Sequence, residues 1–173
     1  MQVTLFMAIS LNGIVADESG SEDFISHANW ETFCSIAREK GNFIVGRKTL
    51  EAVKNWDADY GFDDLNDLTR IVLTSSGAGR LDAGYIAASS PGNALEVLRQ
   101  NGYSFALVSG GPTVNSSFMK DGLIDEIIFN VEPVIVGKGK SVFAPEDFIT
   151  QLRFESMKEL QDGITQVRYK VKR

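Results

Sequence analysis

The chain has 173 residues, 17 Lys and Arg against 23 Asp and Glu, and 43% hydrophobic residues, enough for one domain with a sizeable core. A net charge of −6 argues against a nucleic-acid-binding surface, which shows itself as a basic patch or stripe. A single cysteine (Cys34) and a single histidine (His27) exclude an intrachain disulfide framework, multi-cysteine zinc motifs and His-paired metal sites.

In chain order, residues 3–9 are almost continuously apolar and run into Asn12-Gly13, the pattern of a strand covered on both faces. Trp30, Phe33, Cys34 and Ala37 share one face of a helix and read as core. Residues 43–45 form a second short strand, and Gly46-Arg47-Lys48-Thr49 opens the helix after it. Residues 55–67 are acidic and without period, the mark of a loop. A third strand covers 71–74. Ser90-Pro91 starts a helix carrying Ala94, Leu95 and Leu98, a fourth strand covers 105–109, and a short helix spans 113–119 behind Gly110-Gly111-Pro112.

Residues 127–131 read as another buried strand. Beyond it, 151–159 is a mixed run, Asp162-Gly163 signals a turn, and Val167, Tyr169 and Val171 alternate with Arg168, Lys170 and Lys172. A terminal antiparallel hairpin with its basic residues toward water follows. The alternation of strands and helices predicts one α/β domain over residues 1–173, with a mostly parallel central sheet. Met1 leads into an apolar run without a basic segment or a small-residue cleavage site, and no run is long enough to span a bilayer. The expected setting is cytoplasmic, with no membrane partner.

Three segments sit just after predicted strands, where ligands collect in open α/β sheets. In Gly46-Arg47-Lys48-Thr49 the glycine lets backbone approach closely, and two cations stand beside the first helical amides, a combination suited to phosphate. Thr74, Ser75 and Ser76 cluster hydroxyls that suit a phosphate or ribose oxygen. Ser109-Gly110-Gly111-Pro112-Thr113 is a second glycine turn before a helix. Each segment also reads blandly, as a solvated helix start, a turn or a tight loop. The glycines do not form the G-x-G-x-x-G fingerprint of a Rossmann site.

Ile44-Val45-Gly46-Arg47-Lys48-Thr49-Leu50-Glu51, Arg70-Ile71-Val72-Leu73-Thr74-Ser75-Ser76 and Val108-Ser109-Gly110-Gly111 resemble the dihydrofolate reductase superfamily in order and spacing. The segments 9–17, 20–24 and 134–143 are most similar to the C-terminal reductase domain of the riboflavin biosynthesis protein RibD. The resemblance implies a three-layer dihydrofolate reductase-like fold, NADPH as cofactor, a small-molecule substrate and a homodimer. It implies that Arg47, Ser75 and Ser76 hold the adenosine 2′-phosphate, with Thr74 beside them, and that Gly46, Lys48 and Thr49 meet the pyrophosphate. Gly110, Gly111, Thr113 and Val114 would close the other side, and Ala8 and Ile14 would flank the nicotinamide.

The implied reaction is hydride transfer to a small heterocycle, foremost 5-amino-6-(5-phosphoribosylamino)uracil. A pterin reductase and a non-catalytic NADPH-binding module are the alternatives. For the proton donor, Asp23 ranks first and Glu31 and Asp17 follow; each also reads as a solvated carboxylate. Glu31 is the nearest acid to the helix position at which dihydrofolate reductases carry theirs. Lys138 and Lys140 suit a substrate phosphate or a solvated turn, His27 reads as a surface residue, and Trp56 is a candidate roof.

Overall fold

A segment with large apolar side chains on both sides is stable only inside a sheet covered on two faces. Gln2–Ser10 (β1) takes that place, with Val3, Leu5, Phe6 and Ile9 all buried. The computed structural model describes residues 1–56, 60–75 and 81–172. After β1 come Ile14–Asp17 (β2), His27–Lys40 (α1), Asn42–Gly46 (β3), Arg47–Val53 (α2), Thr69–Leu73 (β4) and Tyr85–Ala88 (β5). Pro91–Gln100 (α3), Phe105–Val108 (β6), Pro112–Lys120 (α4), Glu126–Glu132 (β7), Gly139–Ser141 (β8), Leu152–Glu159 (β9) and Thr165–Val171 (β10) complete the chain.

One eight-stranded sheet runs β5-β4-β3-β6-β1-β7-β10-β9. Strands β5 through β7 in that order are parallel, β10 is antiparallel to β7, and β9 is antiparallel to β10. This is the α/β class the sequence predicts, with its mostly parallel sheet and closing hairpin. Side chains alternate across the sheet and meet a helix layer on each face. Phe33, Ile36 and Ala37 of α1 and Leu50 and Val53 of α2 pack with Phe6, Phe43, Val45, Leu107 and Ile128. On the opposite face, Leu95 and Leu98 of α3 and Phe118 and Met119 of α4 pack with Val3, Leu5, Ile44 and Ile127. Helix α3 starts as expected: Pro91 fills its first turn and the Ser90 side chain accepts from Asn93 N, a cap worth about 1 kcal/mol.

Three local expectations need correction. The stretch 55–67 is not a plain loop, because Phe62–Leu65 forms a 3-10 turn with both end residues buried. Residues three apart eclipse in such a turn, so Phe62 and Leu65 point the same way; the Phe62 ring lies 4.8 Å from that of Phe43. Trp56 packs edge-on against Trp30 at 5.8 Å and joins this aromatic layer. In the hairpin, Arg168 does not simply face water: its Nε donates to Gln166 Oε1 at 3.3 Å. Finally, β2 and β8 form a small antiparallel sheet, although Gly139-Lys140-Ser141 carries no strand pattern.

Candidate functional site

The parallel strands end together at one edge of the sheet, and the two glycine segments meet there. Gly46 N donates to Gly110 O at 2.8 Å, Ser109 N donates to Ile44 O at 2.9 Å, and Ser109 Oγ donates to Phe6 O at 3.2 Å. The approach is close because side chains are missing. A Cβ on Gly46 would stand 2.9 Å from Val114 Cγ2, and one on Gly111 would stand 3.0 Å from Thr49 Oγ1. Gly110 adopts φ +86°, a left-handed conformation that glycine takes without steric cost, and the Gly110–Gly111 peptide is cis.

Around this seam the candidate phosphate groups fan outward. Arg47 is half-exposed and pairs with Glu51 one turn on, at 2.5 Å, which holds the guanidinium against α2. Lys48 is exposed and Thr49 half-buried. Gly46 is paired with Leu73 across β3 and β4, so Arg47 and Thr74 leave adjacent strand ends. Thr74 is buried, its N–H donating to Ala88 O at 2.9 Å, and Ser75 is exposed. Ser76 lies outside the described residues. On the far side of the seam, Thr113 is exposed and Val114 is buried.

Ala8 and Ile14 flank the end of β1. Ala8 is half-buried opposite Asn130 of β7. Ser10 Oγ receives the Ile14 N–H at 2.9 Å, and the Asn12 side chain ties this turn to both the N–H and the carbonyl of Val136. Ile14, Glu18 and residues 137–140 line a concavity of about 480 Å³. Lys138 there lies 3.8 Å from Glu18.

The candidate acids separate by environment. Asp23 is exposed on the loop before α1, and Glu31 is 63% exposed on the outer face of α1, 3.5 Å from His27. Hydrogen bonds from the Ser19 hydroxyl and the Ser21 N–H hold the Asp17 carboxyl below its ordinary value. Among the described residues, neither Asp23 nor Glu31 joins the glycine seam through a hydrogen bond or ion pair. Glu22 behaves differently: burial raises its carboxyl from 4.5 to about 7, opposed by the Lys140 ammonium.

A second carboxylate, which sequence reasoning missed, is Glu132 at the end of β7. It is 5% exposed, lies opposite Ser10 of β1, and accepts from Ser26 N, Ser26 Oγ and Asn29 Nδ2 at the start of α1. Its signal was available in the strand period. Asn130 and Glu132 fall on the same face as Ile128, where the pattern calls for apolar residues.

With this geometry in place, comparison with known proteins decides the family. The family model of the RibD C-terminal domain matches residues 1–166. The chain belongs to the RibD C-terminal domain family. The uncharacterized protein YwjB of Bacillus subtilis (strain 168) is 28% identical over 167 residues, covering 94% of each chain. The crystal structure of a putative riboflavin biosynthesis protein from Shewanella sp. PV-4 superposes with a TM-score of 0.82 at 23% identity, covering 100% of both chains. The diaminohydroxyphosphoribosylaminopyrimidine deaminase/5-amino-6-(5-phosphoribosylamino)uracil reductase of Thermotoga maritima superposes with a TM-score of 0.74 at 18% identity, and the match covers 99% of this chain and 56% of that one.

These likenesses establish a reductase-family domain and its dihydrofolate reductase-like, RibD-type fold. Among the described residues, no helix is long and apolar enough to cross a membrane.

Proposed function

We propose that this RibD C-terminal family member is an NADPH-dependent reductase of a small heterocyclic substrate, foremost 5-amino-6-(5-phosphoribosylamino)uracil. The observation that carries the reading is the seam at the sheet edge, where Gly46 N meets Gly110 O at 2.8 Å with Arg47 beside it. The two backbone segments approach so closely that a Cβ at Gly46 or Gly111 would crowd Val114 or Thr49, which brings both loops to one point of the sheet edge. Exposed Lys48, Ser75 and Thr113 and the half-exposed Arg47 supply the donors a phosphorylated dinucleotide needs.

In this reading Arg47, Thr74, Ser75 and Ser76 hold the adenosine 2′-phosphate. Gly46, Lys48 and Thr49 hold the pyrophosphate from one side, and Gly110, Gly111, Thr113 and Val114 from the other. Ala8 and Ile14 set the nicotinamide end through main-chain contacts. When bound, NADPH supplies the hydride. The chain's own residues orient the substrate, exclude water and deliver a proton. Glu22, whose carboxyl burial raises to about 7, is partly protonated near neutral pH, as a donor requires. Asp23 and Glu31 remain the proposal's other donors, reached from the sequence. We also propose a homodimer, supported by apolar side chains left exposed along β9.

The test has two arms. NADPH oxidation is measured against a panel of phosphoribosylaminopyrimidine and pterin substrates, and Arg47→Ala is titrated with NADPH and NADH. Turnover of the pyrimidine is expected, together with an NADPH affinity that falls at least tenfold more than that for NADH. Preferential turnover of a pterin replaces the substrate, and tight NADPH binding without any turnover indicates a binding module. Equal losses for the two cofactors remove the 2′-phosphate assignment.

A further inference from the structure

Arg47 and Glu51 stand one turn apart on α2, and Arg47 Nη1 donates to Glu51 Oε1 at 2.5 Å. Helix stability does not explain this placement. An acid is favoured at the start of a helix and a cation at its end, and the better pair has the acid four residues before the cation. Here the order is reversed: Arg47 is the first residue of α2 and Glu51 lies in its last turn. Exposed pairs of this kind also add little to stability.

Both side chains are open to a ligand, Arg47 being 39% exposed and Glu51 56%. They stand at the edge where the strands end, since Gly46 pairs with Leu73 and the chain leaves β3 and β4 side by side into Arg47 and Thr74. Exposed Ser75 follows Thr74. A guanidinium carries N–H donors on Nε, Nη1 and Nη2. Among the described residues, Glu51 is the one partner of the Arg47 guanidinium, and it engages Nη1 alone. The Nε and Nη2 donors face no protein acceptor, so an incoming anion finds them open.

Two dinucleotides meet this pair differently. A 2′-phosphate on the open donors comes to within roughly 6 Å of the Glu51 carboxylate, a range at which like charges oppose each other. If the phosphate takes Nη1 as well, Glu51 loses its counter-ion. Both arrangements penalise NADPH. A ribose without the phosphate offers a 2′-hydroxyl, which donates to a carboxylate, and acids elsewhere accept that hydroxyl where arginines accommodate the phosphate. Glu51 has a second oxygen for it and keeps its bond to Arg47 through the first.

We infer that Glu51 sets the cofactor preference of this site, opposing the 2′-phosphate of NADPH and accepting the 2′-hydroxyl of NADH, so that the chain takes both dinucleotides. The inference rests on the reductase reading for the position of the adenosine end. Arg47 supplies the attraction for the phosphate and Glu51 moderates it, so preference is a difference between two affinities rather than the property of one residue.

The experiment is calorimetric titration of the full chain with NADPH, NADH and adenosine 2′,5′-bisphosphate, which carries the 2′-phosphate without the nicotinamide half. Wild type is compared with Glu51→Gln and Glu51→Asp. Glu51→Gln should bind NADPH and the bisphosphate roughly threefold more tightly and NADH roughly threefold more weakly, the size expected of an exposed charge. Glu51→Asp keeps the charge and should stay near wild type for the phosphorylated ligands. Because both groups are exposed, the difference between wild type and Glu51→Gln should shrink at about 1 M salt, where screening acts within about 3 Å.

Opposite signs for the two dinucleotides are the decisive result, since a role in folding alone moves both affinities the same way. Unchanged affinities in Glu51→Gln, or shifts of equal sign, would overturn the inference and leave the pair as helix surface. The two readings fail distinguishably. A wild type that binds neither dinucleotide removes the reductase reading and this one with it, whereas NADPH binding with a preference untouched by Glu51→Gln removes this one alone.

Discussion

Glu22 and Asp23 are neighbours with opposite fates. The loop path half-buries Glu22 near the Lys140 ammonium and leaves Asp23 in water. Because burial penalises the anion, the folded state holds the Glu22 proton more tightly than the unfolded chain does. This contribution to stability is complete below pH 4.5 and is lost as pH rises through about 7, an upper bound of roughly 3 kcal/mol. Glu22→Gln keeps the neutral form at every pH. Its denaturation midpoint should therefore stay flatter than the wild type's between pH 4.5 and 7, and should exceed it at pH 8. Parallel profiles for the two proteins would disprove the assignment. A segment of the form Gly-x-x-Asp-Phe points to acids but not to which one is sheltered. That depends on a contact with residues far along the chain.

At the scale of elements, the glycine segments were legible because their chemistry is local. A glycine after a short apolar run and before a helix says where backbone comes close, and both seam loops were identified on that basis. The groups around Glu132 were not. Ser26 and Asn29 start α1, whereas Glu132 ends β7 on the other side of β1. Only strand order brings them together, and one sequence does not state strand order. The small β2/β8 sheet escaped for the same reason, since its pairing depends on a partner rather than on β propensity. The seam itself supports a stability prediction. An alanine at Gly110 must hold φ +86° and bring its Cβ to 3.1 Å from Met7 Sδ. Gly110→Ala should lose about 1–2 kcal/mol from the left-handed backbone alone, read as a lower urea midpoint with unchanged slope. An unchanged midpoint would mean that the loop relaxes freely.

At the scale of the whole molecule, the sheet has two unlike edges. The β5 edge is short, whereas β9 is eight residues long and exposed throughout. Phe154 is 57% exposed and Met157 65%, and both share a face with Val167 and Tyr169 of β10. Exposed apolar side chains on a long edge strand invite pairing with another chain, and natural proteins seldom leave them uncovered. The proposed homodimer buries this strip. Light scattering should give twice the chain mass for the wild type and a single chain mass for a Phe154→Asp, Met157→Asp double variant that still binds NADPH. A monomeric wild type at micromolar concentration would refute it. The alternation in 167–172 announced the strand, but not that β9 beyond it would remain bare.

The position of β1 carries a consequence for synthesis. Its Leu5 pairs with Val108 and with Ile127, so β1 is synthesised long before either of the strands that flank it. The sheet cannot close around β1 as that strand emerges. Until β6 and β7 follow, its apolar residues stay sticky and unshielded, and a chain that stalls in between is a client for a chaperone.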